Sequence, residues 1–237
     1  MSAIAYGIPV QFDKAYIEGI TQLAATDIKY AEQLGYRIKL LGIAKRREDA
    51  SGNTQGVELR VHPTLVPAKR LIANVEGAMN AVLVQGDAVG ATLHYGKGAG
   101  SEPTASAVIA DLVDVTRLAT SDPQHRVPHL AFQPGALRHV QVLPIEQVIT
   151  SYYLRLRVKD ETGVLAQVTR ILADAGISIN AVLQRGTGSA AQNAHETDLI
   201  ILTHNALEGS MNAALARLQQ LPVVLAPIVR IRKEELA

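Results

Sequence analysis

Two stretches of the sequence carry residue types that could hold a small charged ligand. The first is Gly96-Lys97-Gly98-Ala99-Gly100-Ser101-Glu102-Pro103, where glycines at alternate positions let the backbone approach a ligand closely. A P-loop needs Ser or Thr after its lysine, whereas Lys97 is followed by Gly98, and the spacing misses the third glycine of a dinucleotide fingerprint. On its residues alone this stretch is a tight loop. The second is Asp160-Glu161-Thr162-Gly163-Val164-Leu165, which opens a helix directly after a strand. Unpaired N–H groups in a first helical turn favour a carboxylate, and Asp160 can accept from an ammonium group, which together is the chemistry of a free amino acid. Without further context the same residues also serve as an ordinary strand-to-helix turn with Asp and Thr as caps.

Other reactive side chains are scattered. The chain has no cysteine, which excludes disulfides, thiolate catalysis and sulfur-ligated zinc. His62, His94 and the trio His125, His129 and His139 show no metal-ligand spacing, and Pro128 argues against a helical pair. They read as ordinary core or surface histidines. Lys14, Lys39 and Lys45 could be considered as bases, but they read as solvated or structural, as does the loop cluster Arg46, Arg47, Glu48 and Asp49. Basic and acidic residues number 23 and 22, interleaved for a net charge of +1, so no nucleic-acid or membrane footprint is expected. The N-terminus lacks a basic segment before its apolar residues and is too short in apolar length for a membrane span; it reads like the end of an interrupted helix. A cytoplasmic protein with a small-molecule partner is the expectation.

At 237 residues the chain suits two cores better than one. In the first half, Thr26-Asp27 is a candidate N-cap for a helix to about Leu34, closed by Gly35. Strands are expected at 37–44 and 56–61 around a hairpin loop at 46–55, and at 78–85 and 91–95 across Gly86-Asp87. Pro103 suits a first helical turn, and Val108, Leu112 and Val115 mark one face of a helix to about Leu118. Residues 122–149 carry four prolines and read as a linker or irregular strap. From 150 on the order becomes strand, helix, two strands, helix, strand. Leu154, Leu156 and Val158 alternate with Arg155, Arg157 and Lys159, as in a strand with one buried face; Val164, Val168, Ile171 and Leu172 share a helical face, and Gly176 is the stop. Strands at 177–185, 197–203 and 223–231 and a helix bearing Met211, Leu215 and Leu218 complete the set. The fold class expected is α+β: a mixed sheet with helices over 1–121, then a ferredoxin-like four-stranded antiparallel sheet over 150–237 with both helices on one side.

The run Lys159-Asp160-Glu161-Thr162-Gly163-Val164-Leu165, followed by Ile171-Leu172-Ala173-Asp174-Ala175-Gly176-Ile177-Ser178-Ile179-Asn180, resembles the signature of ACT domains. That resemblance implies an amino-acid effector at a domain interface, with Asp160, Gly163, Val164, Leu165 and Asn180 at effector-contacting positions. Tyr95-Gly96-Lys97-Gly98-Ala99-Gly100, with Pro103-Thr104-Ala105-Ser106-Ala107-Val108 and Asp111, resembles the end of the catalytic region of homoserine dehydrogenases. Matches in the same order support it: Gly7-Ile8-Pro9, Glu18-Gly19-Ile20, Val61-His62-Pro63-Thr64-Leu65, Asn74-Val75, Asn80-Ala81 and Gly86-Asp87.

The second resemblance implies that Gly96, Gly98 and Gly100 lie close to the nicotinamide of a complete enzyme using NAD(P). It also implies that the dinucleotide cradle and the acid–base lysine lie upstream of Met1, so no catalytic residue and no bound cofactor are expected in this chain. Taken together, the resemblances imply part of the enzyme interconverting aspartate semialdehyde and homoserine, a homodimer or larger oligomer, and an ACT sensor with threonine as first candidate. The alternative is a free-standing amino-acid-binding regulator whose first half is an oligomerisation platform.

Overall fold

Alternating apolar residues make this chain a β-rich one, and a single sheet runs through both halves. In the computed structural model, residues 1–122, 128, 131–184 and 195–236 are described. In chain order the elements are α1 (Ser2–Tyr6), β1 (Tyr16–Ile17), α2 (Ala25–Gln33), β2 (Tyr36–Glu48), β3 (Thr54–Pro67), β4 (Met79–Gly86), β5 (Gly90–Lys97) and α3 (Ser101–Thr120). There follow β6 (Ile149–Lys159), α4 (Val164–Asp174), β7 (Ile179–Gln184), β8 (Glu196–Thr203), β9 (Ala206–Leu207), α5 (Glu208–Gln219) and β10 (Val229–Lys233).

The main sheet has the order β1-β3-β10-β6-β8-β7, with β2 on β3 and β9 on β6. Within it, β10-β6-β8-β7 is the expected antiparallel unit of four. Its last strand, however, runs parallel to β3, with Arg232 beside Thr64 and Lys233 beside Leu65. The C-terminal strand therefore joins the two halves edge to edge. It also starts at Val229 rather than 223, because Val223 and Val224 pack on the core from a turn.

Side chains alternate across a strand, and both faces of this sheet are buried. On one face Leu154, Leu156, Leu199 and Ile201 meet Val168 and Leu172 of α4 and Met211 and Leu218 of α5. The other face carries Tyr153, Ile200, Leu202, Ile231 and Leu65, and α2 covers it with Ala31, flanked by Leu23, Tyr30 and Leu34. The sheet after residue 150 is thus closed by a helix from before residue 40. Arg155, expected on a solvated face, points into that second core.

Several boundaries differ from the sequence reading. Asp27 is not the N-cap of α2 but sits in its first turn, accepting from the Ala24 N–H at 3.3 Å, because its carboxylate is claimed by buried partners described below. The β2–β3 loop is shorter than 46–55, since pairing continues to Glu48 opposite Thr54 and Asp49 folds the turn by accepting from the Ser51 and Asn53 N–H groups. The strap over 131–148 is docked: the Val57 N–H donates to the Gln141 carbonyl and the Leu143 N–H to that of Val57. This explains Gly56, where a Cβ would lie 2.6 Å from Leu143. His125 and His129 lie outside the described residues. The face of α3 marked by Val108, Leu112 and Val115 is not a core; none of the residues of α3 is buried. The β4–β5 hairpin likewise stands apart from the main sheet.

Candidate functional site

The glycine loop sits where β5 hands over to α3. Gly96 belongs to β5 opposite Asn80, and Gly98 donates its N–H to the Ala78 carbonyl at 3.2 Å. A Cβ on Gly98 would overlap the Asn80 amide, so the side chain of Asn80 occupies the space that glycine leaves. Gly100 is the N-cap of α3 at φ +130°, a conformation that disfavours any side chain. A dinucleotide cradle needs a glycine turn between a parallel strand and a helix. Because β4 and β5 are antiparallel and lie outside the main sheet, the loop at 96–100 is not such a turn.

The second candidate lies at the far end of β6. Asp160 ends the strand with its N–H on the His195 carbonyl, and its carboxylate accepts from Gln184 at 3.4 Å. Gly163 takes φ +88° and caps α4 without a side-chain hydrogen bond, and the Val164 N–H reaches the Glu161 carbonyl at 3.5 Å. Val164 is buried in the core, whereas Leu165 is exposed. Asn180 is exposed at the start of β7, four residues from Gln184 and hence about 13 Å along the strand. Asp160 and Asn180 therefore stand at opposite ends of α4. A single chain does not bring them together, and a ligand using both would take them from two copies.

A family model described as homoserine dehydrogenase matches residues 1–113, and one described as ACT domain matches residues 152–223. The homoserine dehydrogenase of Pseudomonas aeruginosa is 56% identical over 236 residues, covering 100% of this chain and 52% of that protein. That of Neisseria gonorrhoeae is 49% identical with the same coverage. A crystal structure of a homoserine dehydrogenase from Thiobacillus denitrificans superposes with a TM-score of 0.89 at 61% identity, over 100% of this chain and 51% of that one. Residues 1–113 belong to the homoserine dehydrogenase family, and residues 152–223 are an ACT domain. The chain spans about half the length of the curated relatives it matches.

The three lysines considered as bases each hold a hydrogen bond. Lys39 donates to the Val75 carbonyl at 2.7 Å, Lys45 to Glu234 at 2.5 Å and Lys14 to Gln11 at 3.1 Å. Among the described residues no group of three or more His, Asp or Glu could hold a metal ion, and no helix is long and apolar enough to cross a membrane. His62 is fully buried, its Nε2 2.9 Å from Arg60 and its Nδ1 against Pro63 and Thr64. Burial first, then the nearby Arg232 and Arg60, push its pKa down to about 4, so it stays neutral.

Residue types and spacing alone do not reveal the polar seam where the ACT domain meets the homoserine dehydrogenase region. Arg232 of β10 donates to both oxygens of Glu208, at 2.9 and 2.5 Å, and to Glu18 at 2.8 Å, and lies over the Tyr16 ring. Burial alone would raise the pKa of Glu208, but the bonds and charge of Arg232 outweigh it and hold the carboxyl below its ordinary range. Beside it Arg60 bridges Glu58 and Glu234, both buried. On the opposite face Asp27, wholly buried, accepts from Arg155 at 2.6 and 3.1 Å and from Tyr153 at 3.0 Å. Buried charges must be paired, so each such residue in a sequence signals a partner. The sequence does not say which.

Proposed function

We propose that this chain works within a homoserine dehydrogenase, interconverting aspartate semialdehyde and homoserine with NAD(P)H, and that its ACT domain regulates the enzyme by sensing an amino acid, threonine first. The observation that carries this reading is that proteins named homoserine dehydrogenase match the chain from end to end over about half their own length. In this reading Gly96, Gly98 and Gly100 border the nicotinamide, and the residues that hold the dinucleotide and move the hydroxyl proton come from the half of the relatives that this chain does not cover. The exposed β4–β5 hairpin and α3 supply dimer contacts and packing for that other half. In the ACT domain, Asp160, Gly163, Val164 and Leu165 of one copy and Asn180 of another hold the effector, so the working form is at least a homodimer, in the cytoplasm.

The chain by itself should be silent. Mixed with NADH or NADPH and aspartate semialdehyde, it is expected to give no oxidation of the cofactor above background. Turnover at ~1 per second, ordinary for enzymes, would overturn the assignment of the catalytic groups to the other half.

A further inference from the structure

We infer that Asp27 of α2 is a latch through which the effector loop of the ACT domain acts on the homoserine dehydrogenase region. The inference rests on the effector reading above and adds the route by which occupancy is felt. Strand β6 leads directly into the loop at Asp160, and Arg155 and Arg157 lie on it five and three residues earlier, about 17 and 10 Å away. Arg155 reaches α2 directly from the ACT sheet, and Arg157 is linked to it through Asp198 of β8. Arg155 meets Asp27 with two bonds, and Arg157 meets Asp198 at 3.1 Å, whose other oxygen accepts from Tyr30 of α2 at 3.2 Å. Tyr153, two residues before Arg155, adds its hydroxyl to Asp27. These residues all lie on the face of β6 and β8 opposite α4 and α5, so the latch is not a part of the ACT core itself.

Such a contact has two states rather than a range. Asp27 is fully buried and Arg155 nearly so, and sliding the carboxylate out of its two-bond fork would leave an unpaired charge away from water, which is strongly unfavourable. A displacement of β6 caused by ordering of the loop at 160–163 is therefore either carried by α2 or breaks the latch. Helix α2 in turn leads into β2, which pairs with β3 along its whole length, so what α2 does reaches the sheet of the homoserine dehydrogenase region.

Hydrogen exchange of the full chain with and without threonine tests this, on the wild type, on Asp27→Asn, and on Tyr30→Phe as the milder variant should Asp27→Asn fold poorly. Threonine is expected to slow exchange in the wild type both at 160–184 and in α2. In Asp27→Asn the slowing at 160–184 should persist while that in α2 falls at least fivefold, and Tyr30→Phe should reduce it in part. Slowing at 160–184 with no change in α2 of the wild type would overturn the latch and leave the effector reading standing. Equal slowing of α2 in the wild type and both variants would also overturn it. No slowing anywhere would overturn the effector reading and the latch with it.

Discussion

Replacing Arg232 by methionine is expected to cost the folded chain about 3–5 kcal/mol, the scale of breaking one side of a buried ion pair. Arg232 is 1% exposed and gives its three guanidinium nitrogens to Glu208, Glu18 and Tyr16. Glu208, equally buried, would keep only Arg230 and the Tyr152 hydroxyl. Because β10 lies between β3 and β6, the damage falls where the two halves join. Urea unfolding followed by far-ultraviolet circular dichroism measures it. The double variant Arg232→Met with Glu208→Gln should recover part of the loss, since it removes a buried carboxylate left with one cationic partner, Arg230, in place of two. A single variant within about 1 kcal/mol of wild type would mean that the seam contributes little.

Stability should also fall as the pH drops from about 6.5 to 4, and His62 should account for a separable part of that fall. Its folded pKa of about 4 lies below the ordinary histidine value near 6.5. Between those values the unfolded chain binds a proton that the folded chain refuses, so lowering the pH favours unfolding by up to ~1.4 kcal/mol per unit from this group. Glu18, Glu208 and Glu234 have folded pKa values held below the usual range. Their stabilisation is present above about pH 4.5 and is lost only as the pH falls further. In unfolding measured from pH 4 to 7, His62→Gln, whose side chain can still accept from Arg60, should flatten the slope between 4.5 and 6.5 and leave the lower limb in place. Parallel curves for the two proteins would show that His62 is not held neutral by its burial.

The elements most legible in the sequence were those with local causes. Val164, Val168, Ile171 and Leu172 fall on one helical face, and α4 buries that face as the spacing requires. Gly163 and Gly176 take positive φ at the two ends of the same helix, where only the turn geometry matters. Pairing over long separations left no such trace. Nothing around Val229 says that it will lie between β3 and β6, because a parallel partner 168 residues earlier, Thr64 beside Arg232, has no local signature. The neighbours of Asp27 predict a cap, whereas its buried partners, Arg155 and Tyr153, are over 120 positions away. The helical spacing of Val108, Leu112 and Val115 identifies an apolar face of α3 without saying what covers it. At the candidate effector site the residue types were legible and their grouping was not: the order of strands, rather than the motif, sets Asn180 apart from Asp160.

The central claim, that residues 152–223 sense an amino acid on behalf of a homoserine dehydrogenase, is tested most directly by titration calorimetry of the chain with threonine, isoleucine, methionine and lysine. Threonine is expected to bind best. Asn180→Ala should weaken it by roughly ten- to a hundredfold, about 1.5–3 kcal/mol, as for loss of a hydrogen bond to a charged group. Binding of none of the four at millimolar concentration, or equal binding of threonine to wild type and Asn180→Ala, would contradict the account.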